Sequence, residues 1–191
     1  ARLANARPTN EGIKRIARKQ YPPVAYLLIK KAERFGSFFK LPEEFIPLHD
    51  KPLRAEYEIV PDRDLNGVGL LYFANYPLVL DICERRLLGD LDQRFFSPEL
   101  LNNRTVVHRR SAYYGNATAD ERLLVEMSAW IRSPFAGEAA EPGAEPIELR
   151  LEFKMTRGSD RNLMMVSSAK KLIYGTALGH TDLIDRLAGQ T

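Results

Sequence analysis

The sequence predicts an α+β fold in which one antiparallel sheet wraps around a long central helix, preceded by a helical arm. Two observations support this prediction. In five segments, apolar side chains recur at every second position, a pattern that is typical of strands with one buried face. A sixth segment, Gly69 to Leu88, is apolar around nearly its whole circumference, which is typical of a helix that is covered on most sides.

Composition divides the chain into three regions. Residues 1–50 are predicted to form a basic helical arm, or a linker between two domains. Residues 51–178 carry the sheet pattern and are predicted to form the folded domain. Residues 179–191 are predicted to hold a short closing helix, at Asp182 to Leu187, and a tail.

The arm is predicted to contain two helices. The first runs from Glu11 to Gln20, and a proline pair separates it from the second, Val24 to Phe35. Gly36 follows as a residue type that commonly ends helices. Pro42 and Pro47 then predict irregular chain up to the domain.

The domain begins with a strand from Leu53 to Val60, and the long helix follows it. Arg104 to Tyr114 and Arg122 to Ser133 alternate on either side of a turn-rich segment, so they are predicted to pair as a hairpin. Ile147 to Met155 and Leu163 to Tyr174 are predicted to form a second hairpin.

Composition excludes several classes of protein. The 191 residues are 45% hydrophobic and 28% charged, as in ordinary globular domains. The longest strongly apolar stretch runs only from Gly67 to Leu80, whereas a membrane-spanning helix needs about 20 residues, so no membrane span is predicted. A single cysteine, Cys83, and three widely separated histidines predict no internal disulfide and no metal site, and a cytoplasmic location is expected.

Basic residues are concentrated near the amino end. The net charge is +3, but the segment from Glu11 to Phe39 contains seven basic and two acidic side chains. This segment is either a solvated face or a patch for a phosphate-bearing partner. The aromatic residues nearby fit no RNA-binding or zinc-finger motif, so no nucleic-acid partner is expected.

The stretch from Asp62 to Arg86 reads DRDLNGVGLLYFANYPLVLDICERR. A polar loop residue precedes a glycine and a hydrophobic-aromatic run that ends in Asn75 and Tyr76, and this pattern resembles the hotdog-fold acyl-thioester enzymes, including 4-hydroxybenzoyl-CoA thioesterases. The longer sequence pattern of this stretch is also similar to that of the double-hotdog acyltransferase/decarboxylases of leinamycin-type biosynthesis. The resemblance covers residues 53–175.

The resemblance implies an enzyme that binds the thioester of an acyl-CoA or an acyl carrier protein. The reaction it implies is acyl transfer in polyketide biosynthesis, with decarboxylation of a malonyl-type group. One alternative is hydrolysis by a thioesterase, and another is a non-catalytic half or a scaffold for a carrier protein. No cofactor is implied beyond CoA or phosphopantetheine as the carrier of the substrate. A single hotdog unit is incomplete, so a homodimer or a second hotdog half is expected.

The glycine-containing loop is the candidate binding site. Gly67 and Gly69 permit close approach of a ligand, and the amides of Val68, Gly69 and Leu70 at a helix start would donate to a thioester oxygen. The resemblance places Asn66 where 4-hydroxybenzoyl-CoA thioesterases carry a catalytic aspartate. An amide cannot act as a base, but it can hydrogen-bond a thioester carbonyl. The alternative is that the glycines and Asn66 only shape the turn.

Five further side chains are candidates. Asp81 is predicted to be a general base or else a carboxylate satisfied by local donors. Tyr72 and Tyr76 either contact the substrate, one of them as a nucleophile, or belong to the core. His108 is a candidate base or pantetheine contact, and Arg109 is a candidate partner for the phosphates.

For two more residues of the helix, a structural role is favoured over a functional one. Glu84 precedes two arginines and is expected to form ion pairs at the surface. Cys83 is expected to be a small core residue.

Overall fold

The computed structural model describes residues 23–35, 37–38, 45–92, 96–132 and 146–174. The predicted helices Glu11 to Gln20 and Asp182 to Leu187 lie outside the described residues. The helices and strands, in chain order, are α1 (Pro23–Phe35), β1 (Phe45–Pro47), β2 (Leu53–Glu58), α2 (Pro61–Asp64), α3 (Asn75–Leu91), α4 (Pro98–Asn102), β3 (Arg104–Tyr113), β4 (Arg122–Arg132), β5 (Ile147–Arg157) and β6 (Leu163–Ile173).

All six strands belong to one antiparallel sheet in the order β1–β4–β5–β6–β3. Strand β2 also pairs with β4, beside the segment of β4 that pairs with β1. Strands β1 and β2 therefore share one edge of the sheet. Strand β3 is the opposite edge. The long helix α3 packs against one face of this sheet, which confirms the predicted α+β plan.

The predicted hairpin between β3 and β4 is wrong, whereas the hairpin between β5 and β6 is confirmed. Strand β3 pairs with β6, for example at Ala112 opposite Val166. Both edges of β4 are already occupied, one by β5 and the other by β1 and β2. Alternating hydrophobicity identifies which face of a strand is buried, but it does not identify the neighbouring strand.

The sheet also begins earlier than predicted, because β1 lies where irregular chain was expected. Phe45 pairs with Arg132 of β4, and Pro47 pairs with Trp130. Proline lacks an N–H group, but an edge strand tolerates it because one side of the strand needs no partner. The phenyl ring of Phe45 is buried.

Helix α3 begins at Asn75, six residues after the predicted start at Gly69. The chain between these residues forms turns in which the Gly69 N–H donates to the Asn66 carbonyl and the Leu71 N–H donates to the Ala117 carbonyl. Gly69 has a φ of +76°, which is incompatible with a right-handed helix and is readily adopted only by glycine. The helix therefore cannot include this residue.

One face of α3 is buried against the sheet, and the opposite face is exposed in the single chain. The buried face contains Tyr76, Val79, Leu80, Cys83, Glu84, Leu87 and Leu88. On the opposite face Leu78 and Ile82 are 43% and 40% exposed. The sheet of one chain therefore covers one side of the helix, and Cys83 is buried as expected.

Candidate functional site

Asn66 lies on an exposed loop between α2 and α3 and holds that loop in shape. Its side-chain Oδ1 accepts hydrogen bonds from the amides of Val68 and Leu70, both at 3.1 Å. Its carbonyl accepts a third hydrogen bond, from the Gly69 N–H at 2.9 Å. Within the chain, Asn66 therefore makes the contacts that are expected of a residue that shapes a turn, which was the alternative to a binding role.

These contacts change which groups can reach a ligand. The N–H groups of Val68, Gly69 and Leu70 donate to Asn66 within the loop, and none of these three residues begins helix α3. These N–H groups are therefore not free to donate to a ligand. The Nδ2 group of Asn66 has no partner among the described residues. Because two hydrogen bonds to Oδ1 orient the carboxamide, Nδ2 is the donor that the loop presents to solvent.

A buried carboxylate, Asp64, anchors the start of this loop. It accepts hydrogen bonds from the Tyr57 hydroxyl at 2.9 Å, the Val60 amide at 2.8 Å and the Arg63 Nε at 2.8 Å. The Asp64 carbonyl accepts from the amide of Tyr72 at 2.8 Å, which ties together the two ends of the loop. The carboxylate therefore positions the segment that carries Asn66.

The hydrogen bonds of Asp64 also affect its ionisation. Burial raises its pKa, but hydrogen bonds from Arg63, Val60 and Tyr57 outweigh this effect and hold the pKa below its usual value. Burial, together with the hydrogen bond to Asp64, raises the pKa of Tyr57 to about 12. Sequence reasoning missed Asp64, although a tyrosine on the buried face of β2 signals that a polar partner lies nearby.

The two candidate tyrosines occupy different environments. Tyr72 is 42% exposed, and its hydroxyl has no hydrogen-bond partner among the described residues. Its ring packs edge-on against Phe73, which is also exposed. Tyr76 is buried and donates to the Gly115 carbonyl at 2.9 Å, and burial raises its pKa. The structure places Tyr72 at the surface beside the loop and Tyr76 in the core.

Asp81 lies on α3 and faces the sheet, where two cations hold it. Oδ1 lies 2.5 Å from Arg109 Nη2 and 2.7 Å from Lys171 Nζ. Oδ2 has a longer contact of 3.3 Å to Arg109 Nη1. Burial raises the pKa of Asp81, but the hydrogen bonds from Arg109 and Lys171 outweigh burial and lower it, so the carboxylate is ionised at neutral pH.

Glu84, one turn further along α3, is fully buried rather than at the surface, which corrects the prediction made for it. It pairs with Lys171 and lies 3.2 Å from Arg104 Nε. Burial raises its pKa. The sequence did contain a signal, because the alternation of β6 places Lys171 on the same buried face as Ala169 and Ile173.

The structure separates His108 from Arg109, although the two are adjacent in sequence. Successive strand residues point to opposite faces, so His108 lies on the face away from α3, where its exposed ring accepts from Arg110 Nε at 3.4 Å. Arg109 lies on the face of Asp81. Of the two, only Arg109 belongs to the same cluster as another predicted site residue.

Two other kinds of feature are absent from the described residues. No three or more histidine, cysteine, aspartate or glutamate side chains in these segments could together hold a metal ion. In the same segments, no helix is long and apolar enough to cross a membrane.

The similarities to known proteins are structural rather than sequence-based. No protein-family model matches the sequence, and no curated protein matches it. A thioesterase from Thermus thermophilus, solved with coenzyme A and Zn, aligns with a TM-score of 0.51 and 15% identity over 72% of this chain and 98% of its own.

Two further solved structures are similar at lower TM-scores. The 4-hydroxybenzoyl-CoA thioesterase from Pseudomonas sp. strain CBS-3 aligns with a TM-score of 0.46 and 16% identity over 70% of this chain and 99% of its own. A 1,4-dihydroxy-2-naphthoyl-CoA thioesterase from Synechocystis aligns with a TM-score of 0.42 and 16% identity over 64% of this chain and 81% of its own. The antiparallel sheet packed on one long helix, together with the Thermus similarity, shows that this chain has the hotdog fold.

Proposed function

We propose that this chain acts on acyl thioesters carried by CoA or by the phosphopantetheine of a carrier protein, and that the Asn66 loop binds the thioester. The observation that supports this most directly is the orientation of the Asn66 carboxamide, whose Nδ2 has no partner among the described residues. A donor held in place beside a thioester carbonyl stabilises the negative charge that develops on its oxygen.

The first candidate reaction is hydrolysis, which the similarity to the Thermus thioesterase supports. In this mechanism Asn66 Nδ2 donates to the thioester oxygen, and the ionised carboxylate of Asp81 accepts a proton from the attacking water. The water oxygen forms a bond to the carbonyl carbon, and the carbon–sulfur bond then breaks. The thiolate leaves and takes up a proton, which gives a free acid and a thiol.

The second candidate is acyl transfer with decarboxylation of a malonyl-type group, which two features of the site favour. Asn66 is an amide and cannot act as a base, and Asp81 is held by Arg109 and Lys171. Decarboxylation needs a donor for an enolate oxygen rather than a base. In the transfer step, the exposed hydroxyl of Tyr72 is the candidate nucleophile. The comparisons do not support this reaction as they support hydrolysis.

A second copy of the chain is the proposed partner that completes the site. Five exposed apolar side chains surround the loop and continue along α3: Val68, Tyr72, Phe73, Leu78 and Ile82. Strand β3 has no neighbour on its outer edge among the described strands. Exposed apolar surface and an unpaired strand edge each favour a homodimer. A second hotdog half on another chain would cover the same surface.

The products of a panel of acyl-CoAs distinguish the candidates. Hydrolysis of acetyl-, malonyl- or benzoyl-CoA releases free acid and CoA thiol, whereas the second reaction yields a decarboxylated or transferred acyl group. Binding of every thioester without any product would favour the scaffold alternative.

Substitution of Asn66 tests the role of its Nδ2 donor. Asn66→Asp retains the oxygen that accepts from the Val68 and Leu70 amides but loses the donor. We therefore expect decarboxylation or transfer to fall about 10²-fold, the effect of removing one such donor, while the loop stays folded.

For hydrolysis, Asn66→Ala is the cleaner variant, because it adds no carboxylate, and we expect a similar loss. Asn102→Ala, at an exposed asparagine of α4, is the control. Unchanged turnover in both Asn66 variants would refute the role.

A further inference from the structure

The cluster formed by Asp81, Glu84, Arg104, Arg109 and Lys171 contains a group that the proposed reaction does not yet use. Lys171 is 1% exposed and bridges two carboxylates on successive turns of α3. A buried lysine is rare, because removing an ammonium group from water is unfavourable unless partners compensate. Its position therefore requires an explanation beyond that of an ordinary surface ion pair.

The two carboxylate oxygens of Asp81 differ in their contacts, and Lys171 contacts only one of them. Its Oδ1 receives two close contacts, from Arg109 Nη2 at 2.5 Å and from Lys171 Nζ at 2.7 Å. Its Oδ2 has only the 3.3 Å contact to Arg109 Nη1. The side chain is 34% exposed. One oxygen of the carboxylate is thus held firmly, and the other retains capacity to accept a hydrogen bond.

We propose that Lys171 is a positioning residue that fixes Oδ1 of Asp81 and so leaves Oδ2 as the oxygen that accepts the proton of the attacking water. The proposal rests on the hydrolytic function proposed above. Lys171 acts through Asp81 and contacts no substrate itself. Its test therefore needs a measurement that reports on Asp81 directly.

Glu84 and Arg104 complete the electrostatic environment of Lys171. Glu84, which is itself fully buried, supplies the anion that pairs with the ammonium group of Lys171. Arg104 lies 3.2 Å from Glu84 and also donates to the backbone carbonyl of Asp81 at 3.4 Å. The charged groups facing Asp81 are therefore Arg104 and Arg109 of β3, Lys171 of β6, and Glu84 of α3.

Two substitutions that remove opposite charges from this cluster distinguish a positioning role of Lys171 from a general contribution to the stability of the fold. Lys171→Met removes the cation that contacts Asp81 while keeping a side chain of similar length. The effect of burial on the pKa of Asp81 is then opposed mainly by Arg109, so the titration of Asp81 and the acidic limb of the hydrolysis profile should move to higher pH. We expect hydrolysis at pH 5 to fall about tenfold relative to pH 8. Glu84→Gln removes a nearby anion instead, so it should not move the limb upward.

Carboxyl carbon NMR of the full chain, with Asp81 assigned through Asp81→Asn, measures the titration independently of activity. If Lys171→Met does not fold, the double variant Glu84→Gln/Lys171→Met replaces both buried charges with neutral groups and permits the same titration. An unshifted Asp81 titration in an active Lys171→Met protein, or the same upward shift in Glu84→Gln, would overturn this inference alone. Absence of hydrolysis in the wild-type protein would overturn the proposed function, which the Asp81 titration does not test.

Discussion

The two faces of α3 have similar side chains but different surroundings. Toward the sheet, Val79 and Leu80 are fully buried, whereas Leu78 and Ile82 on the other face are 43% and 40% exposed. The buried face even accommodates Glu84, because Lys171 and Arg104 neutralise it. The difference shows that side-chain hydrophobicity alone does not determine which face one chain can cover.

The exposed face of α3 needs a second surface to cover it. A helix that is apolar on most sides is stable in water only if each apolar side meets another surface. The sheet of the same chain covers one side, and the other remains for the second copy proposed above. The two faces should therefore respond differently to substitution and to protein concentration.

The largest expected effect comes from the buried face. Leu80→Ala should lower the free energy of unfolding by about 2–5 kcal/mol, because it leaves a cavity in the core. Leu78→Ala is the matched variant on the exposed face, and within a single chain it should change the value by less than about 1 kcal/mol. Urea unfolding at low protein concentration measures both. Equal losses would show that the two faces do not differ.

The general plan of the fold could be predicted from the sequence, because it depends on local periodicity. The strand limits predicted for β3, β4 and β6 agree with the structure to within a residue or two. The pairing of β3 could not be predicted, because its partner is set by which edges β4 and β6 leave open. The start of α3 was misplaced because the positive φ of Gly69 has no signature in hydrophobic periodicity.

Less of the candidate site could be predicted. The sequence predicted a turn-rich segment that includes Asn66, but the contacts that engage the amides of this segment depend on the rotamer of Asn66, which the sequence does not specify. Glu84 appeared to be a surface residue because its basic neighbours are adjacent in sequence. Its actual partner, Lys171, is distant in sequence and is brought near only by the sheet.

A smaller effect is expected from Asp64, a buried polar group whose partners lie in the same chain. Asp64→Asn should lower the free energy of unfolding at pH 7 by about 1–3 kcal/mol, because it weakens three hydrogen bonds. The folded-state pKa of Asp64 is lowered, so its stabilisation is present above the unfolded value of about 3.9. It is lost as the pH falls through the lowered pKa.

Urea unfolding from about pH 5 to about pH 2 measures this dependence. The stability of the wild-type protein should fall more steeply with acid than that of Asp64→Asn. Asp62→Asn is the control, since Asp62 lies in the same short helix but is exposed. Parallel curves for the wild-type protein and Asp64→Asn would show that the carboxylate does not stabilise the loop through its charge.

The smallest effect on the stability of a single chain is expected from charges on the exposed face of α3. The double variant Leu78→Glu/Ile82→Glu places two carboxylates where water already reaches, so unfolding measured at low concentration should change by less than about 1 kcal/mol. If a second copy covers this face, however, the carboxylates would be buried without partners and association would fail.

Sedimentation velocity should then show a dimer for the wild-type protein and a monomer for the variant. Acyl-CoA turnover should be lost together with the dimer, because the Asn66 loop adjoins the same apolar surface. A dimeric, fully active variant would place the second copy elsewhere and leave the outer face of α3 as ordinary solvent-exposed surface.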